Sequence, residues 1–167
     1  MKILYLCRHA KSSWADPGMD DLDRPLNDRG LRNAPHMAHV FEQRGEPLDL
    51  ILTSPAERAL TTAKFFQEAL AMKKEAFVQD RSIYLAEKDT LLRILHTLPA
   101  TADRVMLFGH NPGFTELVQH LSDAGIDNLP TCGLVRIDFP LDDWLHIGKH
   151  SGTLVWFDYP KWHKGQE

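Results

Sequence analysis

Short apolar runs alternate along this chain with longer stretches of helical periodicity, and this alternation constrains the fold most strongly. The apolar runs cover residues 2–7, 48–53, 76–79, 104–109, 134–139 and 153–157. The helical patterns cover residues 27–43, 55–70, 88–98 and 112–121. Strands that alternate with helices are typical of βαβ units, so we predict an α/β fold around a mostly parallel sheet. The last two runs have no helix between them and are predicted to form an antiparallel or edge pair.

The sequence marks the starts of two of these helices. Ser54 and Pro55 are typical of an N-cap and a first-position proline, and a glutamate follows at the capping-box spacing. Asn111 and Pro112 repeat the N-cap and the proline before the last helical pattern. Pro35 lies inside the first pattern, where its missing N–H predicts a break or kink.

Length and composition predict one folded domain over residues 1–167. The chain is 43% hydrophobic and 25% charged, which is ordinary for a globular protein. Its net charge of −4 argues against a nucleic-acid partner, because phosphate-backbone binding usually needs a basic surface. No run has the length of a membrane span, and we expect no signal peptide. Cys7 and Cys132 form no CxxC pair and are expected to be reduced, buried thiols in a cytoplasmic protein.

Polar residues follow three of the predicted strands where those strands end. They are Arg8-His9 after the first, Thr53-Ser54 and then Arg58 after the second, and Gly109-His110-Asn111 after the fourth. Because the carboxyl ends of parallel strands meet at one edge of a sheet, these side chains should converge. Arginines and helix N-termini both favour phosphate oxygens. The sequence therefore predicts a phosphoryl site, with Ser54 and Asn111 among its phosphate-binding residues.

Four motifs in this order resemble the histidine phosphatase superfamily. They are Arg8-His9-Ala10-Lys11-Ser12-Ser13-Trp14, Arg24-Pro25-Leu26-Asn27-Asp28-Arg29-Gly30, Ser54-Pro55-Ala56-Glu57-Arg58-Ala59 and Gly109-His110-Asn111-Pro112. The resemblance extends to about Phe139 and is greatest for the small SixA-type phosphohistidine phosphatases. Many members of the superfamily have glycine after the Arg-His pair, whereas this chain has Ala10, as the SixA-like branch does. It implies a three-layer α/β/α sandwich of the phosphoglycerate mutase-like kind. It also implies a covalent phosphohistidine intermediate that needs no metal and no other cofactor.

The resemblance assigns a role to each of four residues. His9 would be the nucleophile, Arg8 and Arg58 would hold the phosphoryl oxygens, and His110 would stabilise the transferring group. These roles agree with the chemistry of the side chains, because a neutral imidazole, with an ordinary pKa of about 6.5, is nucleophilic. Phosphoryl transfer otherwise depends mainly on positioning and on charge stabilisation.

A general acid is harder to find in this sequence. Larger members of the superfamily carry a carboxylic acid in an inserted segment, and here Glu87 lies in about the right region. Weaker candidates in the loop after His9 are Asp16, Asp20, Asp21 and Asp23. An alkoxide leaving group is about as basic as hydroxide, whose conjugate acid has a pKa of about 15.7, and gains greatly from a proton donor. An imidazole leaving group can already carry its proton.

We therefore expect hydrolysis of the P–N bond of phosphohistidine in a protein, such as a histidine-phosphorylated signalling or phosphotransfer protein. One alternative is a phosphatase of small phosphate esters with Glu87 as the acid, and another is a non-catalytic phosphate-binding module.

A cysteine phosphatase is excluded, because its motif would need arginine at Ser13. A metal hydrolase is disfavoured, because neither helical histidine pair has the HExxH glutamate. These pairs are His36 with His39 and His146 with His150. We expect a monomer.

Overall fold

A computed structural model describes residues 1–163, except for the side chains of Trp162 and His163. The strands are β1 (Lys2–Arg8), β2 (Leu50–Thr53), β3 (Phe77–Gln79), β4 (Arg104–Gly109), β5 (Leu134–Phe139) and β6 (Thr153–Asp158). The helices are α1 (Asp28–Gln43), α2 (Glu57–Ala69), α3 (Lys88–His96) and α4 (Gly113–Leu121). Short 3-10 helices cover Asp21–Asp23, Lys74–Ala76, Arg81–Ile83, Trp144–His146 and Pro160–His163. The predicted elements are confirmed, with ends that differ by a few residues.

The six strands form one sheet in the order β3-β2-β4-β1-β5-β6. Strands β1 to β4 are parallel, whereas β5 pairs antiparallel with both β1 and β6. The prediction for the last two strands is therefore confirmed. Arg8 is in register with Gly109, and Thr53 is in register with Phe108, so the carboxyl ends of β1, β2 and β4 meet at one edge.

Successive residues of the central strands face two different cores. Leu4 and Leu6 of β1 pack in the core with α3 and α4, whereas Tyr5 and Cys7 pack in the core with α1 and α2. Helices therefore cover both faces of the sheet, which confirms the three-layer α/β/α fold. Both Cys7 and Cys132 are buried free thiols, as expected. Among the described residues, no helix is long and apolar enough to cross a membrane.

The predicted starts of two helices are wrong by one to two residues. The N-cap of α2 is Ala56, because the hydroxyl of Ser54 is fully buried and bonds to His110 in another part of the fold. Helix α4 begins after Pro112, and the amide of Asn111 ties neighbouring loops together. The expected break at Pro35 is also absent, since α1 runs through it. Packing of the buried face of α1 outweighs the one hydrogen bond that proline removes.

Candidate active site

His9 lies directly after β1 with its ring held by the main chain. Its backbone N–H donates to the carbonyl oxygen of Gly109 at 3.0 Å, which joins the ends of β1 and β4. Its Nδ1 lies 2.7 Å from the carbonyl oxygen of Ala10. Because a carbonyl oxygen only accepts, Nδ1 must carry the hydrogen in this contact. The lone pair of the neutral ring is therefore on Nε2.

His110 lies beside His9 at the end of β4. The two ring centroids are 5.4 Å apart, and the ring of Tyr84 is 5.6 Å from that of His110. Nε2 of His110 lies 2.7 Å from Oγ of Ser54. Nδ1 of His110 is buried and has no hydrogen-bond partner among the described residues. One ring nitrogen is thus fixed by the protein, and the other has a hydrogen-bonding capacity that no described residue uses.

Both imidazoles are neutral at physiological pH. Burial, together with the neighbouring His110, Arg58 and Arg8, lowers the pKa of His9 to about 3, although the hydrogen bond to Ala10 acts in the opposite direction. Burial and the charge of Arg58 lower the pKa of His110 to about 4. A neutral His9 has its Nε2 lone pair available for attack on an electrophile, without any base to remove a proton first.

Two arginines face these histidines. Arg8 donates from Nη1 to the carbonyl oxygen of Leu129 at 3.1 Å, and its buried Nε has no partner in the described part of the chain. Arg58, in the first turn of α2, is only 3% exposed. It donates from Nη1 to the carbonyl oxygen of Asp21 at 2.7 Å and from Nη2 to Oδ2 of Asp21 at 2.9 Å. Each guanidinium is held in place but keeps some donors for a ligand.

Asp21 connects the groups on this side of the site. Besides Arg58, it accepts hydrogen bonds from the hydroxyl of Tyr84 and from Nη1 of Arg24, the latter at 2.8 Å. Burial alone would raise the pKa of Asp21, but the hydrogen bonds from Tyr84 and Arg58 outweigh it and lower the pKa to about 2. Asp21 is therefore a carboxylate at neutral pH and positions Arg58.

These residues surround a cavity of about 190 Å³. It is lined by Arg8, His9, Lys11, Ser12, Trp14, Arg24, Arg58, Leu85, His110, Asn111 and Thr131. Four of these carry positive charge, and none of the lining residues, all within the described part of the chain, is an aspartate or glutamate. The cavity therefore suits an anion of the size and charge of a phosphoryl group.

The mouth of the cavity is partly apolar. Trp14 is 72% exposed, and the guanidinium of Arg24 lies 3.3 Å from the centre of its ring. Leu85 is 55% exposed and has a φ of 49°, in the left-handed region that leucine rarely adopts. Large apolar side chains held at the entrance of a polar cavity are typical of a contact surface for a substrate.

Three of the predicted site residues do not have free polar groups in the cavity. Ser54 lies outside the lining, with its hydroxyl on His110. Asn111 lines the cavity, but its Nδ2 donates to Asn128 and to Leu129, so its amide shapes the loop. Glu87 is exposed at the N-cap of α3 and lies outside the lining. By contrast, Arg8, His9, Arg58 and His110 come together as the strand ends predict.

Sequence reasoning gave no role to several residues that line the cavity. Four of them lie within the first two motifs of the resemblance, and this position was the one indication that they could belong to the site. They are Lys11, Ser12, Trp14 and Arg24. Leu85 had no signal of its own. The helical histidine pairs form no group of three or more possible metal ligands within residues 1–163. The 3-10 helix Trp144–His146 ends before His150, so that pair shares no helix.

Comparison with known proteins agrees with this geometry. Residues 4–104 match the sequence profile of the histidine phosphatase superfamily, branch 1. The chain belongs to the histidine phosphatase superfamily. An uncharacterized chloroplastic protein of Arabidopsis thaliana is 32% identical over 161 residues, which cover 92% of this chain and 73% of that protein.

Solved structures of known phosphatases have the same fold. One is a protein of Agrobacterium tumefaciens, provisionally classed as the phosphohistidine phosphatase SixA, with 30% identity and a TM-score of 0.80. The match covers 95% of this chain and 98% of that one. A mycobacterial glucosyl-3-phosphoglycerate phosphatase matches at 16% identity with a TM-score of 0.71, over 96% of this chain and all of the other. The superfamily and the SixA-like neighbour support a phosphatase activity for the chain.

Proposed function

We propose that this superfamily member hydrolyses the P–N bond of phosphohistidine in a protein substrate, through a covalent intermediate on His9. The observation that carries this proposal is a cavity with four cations and no proton-donating carboxylate. The carboxylate nearest the phosphate-binding arginines is Asp21, whose pKa of about 2 keeps it ionised. Such a site stabilises phosphoryl oxygens well but protonates an alkoxide poorly, which favours an imidazole leaving group.

In the first step, Nε2 of His9 attacks phosphorus while Arg8 and Arg58 hold the phosphoryl oxygens. The bond from phosphorus to the substrate imidazole breaks, and its electron pair returns to that nitrogen. The substrate ring leaves as neutral imidazole because its other nitrogen already carries a proton. The charge on the transferred group is met by arginines that are positioned before the reaction, so little reorganisation is needed.

In the second step, water attacks the phosphorus on His9. The bond to Nε2 breaks, its electrons return to the ring, and the water proton leaves with phosphate or to solvent. His9 is then neutral again and ready for another turnover. The main-chain contact at Nδ1 keeps the same nitrogen facing phosphorus in both steps.

We assign His110 to the phosphoryl oxygens. A hydrogen bond donated by the hydroxyl of Ser54 to Nε2 would place the ring hydrogen on Nδ1, the nitrogen without a protein partner. His110 then donates to an oxygen of the transferring group, and Ser54 contributes by fixing the ring. A neutral donor in a water-poor site stabilises the developing charge without itself losing a proton.

The test is a side-by-side assay of a phosphohistidine peptide, an aryl phosphate and a panel of sugar phosphates. We expect the peptide to have the highest kcat/KM. His9→Ala should reduce turnover to background, whereas His39→Ala, an exposed histidine on α1, should retain it. Brief incubation with labelled substrate should yield a phosphoenzyme that is labile in acid and stable in base. Much faster hydrolysis of sugar phosphates would refute the proposal.

The same assay separates the two other functions. Glu87→Gln should leave every rate unchanged, because Glu87 lies outside the cavity lining. Selective loss of ester hydrolysis in that variant would instead favour an ester phosphatase with Glu87 as its acid. A phosphate-binding module would show neither a burst of product nor steady turnover.

A further inference from the structure

A second cavity, of about 310 Å³, adjoins the first. It shares Arg8, Lys11 and Thr131 with the phosphate cavity, so the two cavities lie side by side. Its other lining residues are Arg29, Asn128, Pro130, Tyr159, Pro160 and Lys161. We call this cavity the basic groove. It extends from the site past the start of α1 to the 3-10 helix Pro160–His163.

The basic groove carries an excess of positive charge. Arg8, Lys11, Arg29 and Lys161 line it, and none of its lining residues, all of which the structure describes, is an aspartate or glutamate. The whole chain nevertheless has a net charge of −4. Positive charge that is concentrated beside the site on an acidic protein attracts and orients anionic ligands.

One wall of the groove is built by close packing. The N–H of Asn27 donates to the carbonyl oxygen of Lys11 at 2.9 Å, which fixes the loop after β1 against the start of α1. A Cβ at Gly30 would lie only 2.2 Å from that same oxygen. The backbones of Lys11 and of the first turn of α1 are therefore held together, and Arg29 lies in this turn.

We infer that the basic groove binds acidic side chains of the protein substrate that lie next to its phosphohistidine. The inference rests on the proposed function and adds to it a class of partner. The groove is larger than the phosphate cavity, and its outer cations, Arg29 and Lys161, are both exposed. A surface with separated charges, close to the apolar residues Trp14 and Leu85, fits a protein surface better than a single small anion.

The experiment compares two phosphohistidine peptides of equal length. One has aspartate and glutamate beside the phosphohistidine, and the other has asparagine and glutamine there. We expect the acidic peptide to have the higher kcat/KM, and added NaCl to reduce that preference. Arg29→Gln should lower the preference about two- to fivefold, and Arg29→Gln with Lys161→Gln should lower it further.

The control variant is Arg32→Gln. Arg32 is an exposed arginine one turn farther along α1 and lies outside the groove. It should leave the preference unchanged, and all these variants should hydrolyse an aryl phosphate at the wild-type rate. This rate shows that each variant is folded with an intact phosphate cavity.

Three outcomes would overturn the inference, and they are distinguishable. Equal rates for both peptides would refute the binding of acidic side chains in the groove and leave the phosphohistidine assignment intact. Hydrolysis of aryl phosphate but of neither peptide would refute the phosphohistidine assignment, and the groove with it. If Arg29→Gln slowed a carboxylated aryl phosphate but not the acidic peptide, the groove would recognise a small dianion instead.

Discussion

In two clusters of this protein, a carboxylate contacts an arginine and accepts a hydrogen bond from a tyrosine hydroxyl. The two clusters differ in the number of positive and negative charges around them. In the first, which we call the site cluster, Arg58 contacts Asp21, which also accepts from Tyr84. In the second, the sheet cluster, Arg136 of β5 contacts Asp138 at 2.7 Å and Glu46 at 3.3 Å. Glu46 also accepts a hydrogen bond from the hydroxyl of Tyr5 at 2.6 Å.

The difference lies in the neighbours of each cluster. The sheet cluster has two carboxylates for its arginine, so the positive charge of Arg136 is neutralised within the protein. The site cluster has one carboxylate beside a cavity with four cations, which are Arg8, Lys11, Arg24 and Arg58. This excess positive charge is neutralised only when an anion binds. Charge balance, rather than the presence of ion pairs, therefore distinguishes the site from the supporting structure.

The largest expected effect comes from neutralising one arginine in each cluster. Arg58→Gln should lower kcat/KM by about 10²–10³, the range for removing a donor that stabilises a transition state, with a small effect on stability. Arg136→Gln should leave kcat/KM unchanged but destabilise the fold by about 1–3 kcal/mol, because two partly buried carboxylates lose their partner. Steady-state kinetics and thermal unfolding would measure both.

The reverse result would contradict this comparison. If Arg58→Gln lowered the unfolding temperature as much as Arg136→Gln and left turnover intact, the contact between Arg58 and Asp21 would be structural. Arg32→Gln, which removes an exposed arginine outside both clusters, should change neither quantity.

The next effect is on the pH profile, because His9 and His110 lie beside the site cluster. With its pKa lowered to about 3, His9 stays neutral between pH 7 and pH 5, where an ordinary histidine would become protonated. We expect kcat/KM for an aryl phosphate to show no histidine-like loss over that interval. An acid limb near pH 6.5 would mean that His9 has an ordinary pKa in the free enzyme.

The same pKa shifts predict how stability depends on pH. His9 and His110 have folded-state pKa values of about 3 and about 4, below the ordinary value of about 6.5 in the unfolded chain. The unfolded state therefore binds more protons between these values, so stability should decline as the pH falls below about 6.5. Replacing both histidines with glutamine should flatten this decline in chemical denaturation experiments. An unchanged slope would refute the burial argument.

The smallest effect is expected from Asp21→Asn. This change removes the negative charge but keeps an oxygen that can accept from Arg58, so the site gains positive charge with little movement. We expect the Ki of inorganic phosphate to fall about two- to fivefold, as for a single solvent-screened charge. Glu46→Gln in the sheet cluster should leave this Ki unchanged. A higher Ki in Asp21→Asn would show that its charge is needed to hold Arg58.

Features set by local pattern were predictable from the sequence, whereas long-range pairings were not. The strand ends predicted where Arg8, His9 and His110 converge, because topology alone brings them to one edge. The role of Ser54 was missed, because capping rules consider only the adjacent helix and its hydroxyl bonds to a histidine 56 residues away. Asp21 could not be distinguished by sequence from the other carboxylates of its loop. Its role depends on contacts with Arg58 and Tyr84, which lie 37 and 63 residues farther along the chain.

The burial of His9 also limits the shape of a substrate. Only 8% of this residue is exposed, so the phosphoryl group of a protein substrate has to enter the cavity to reach it. The imidazole of a substrate histidine holds its phosphoryl group farther from the main chain than a serine or threonine oxygen does. We therefore expect a phosphorylated protein side chain to reach His9 more readily when it is long than when it is short, whatever its leaving group.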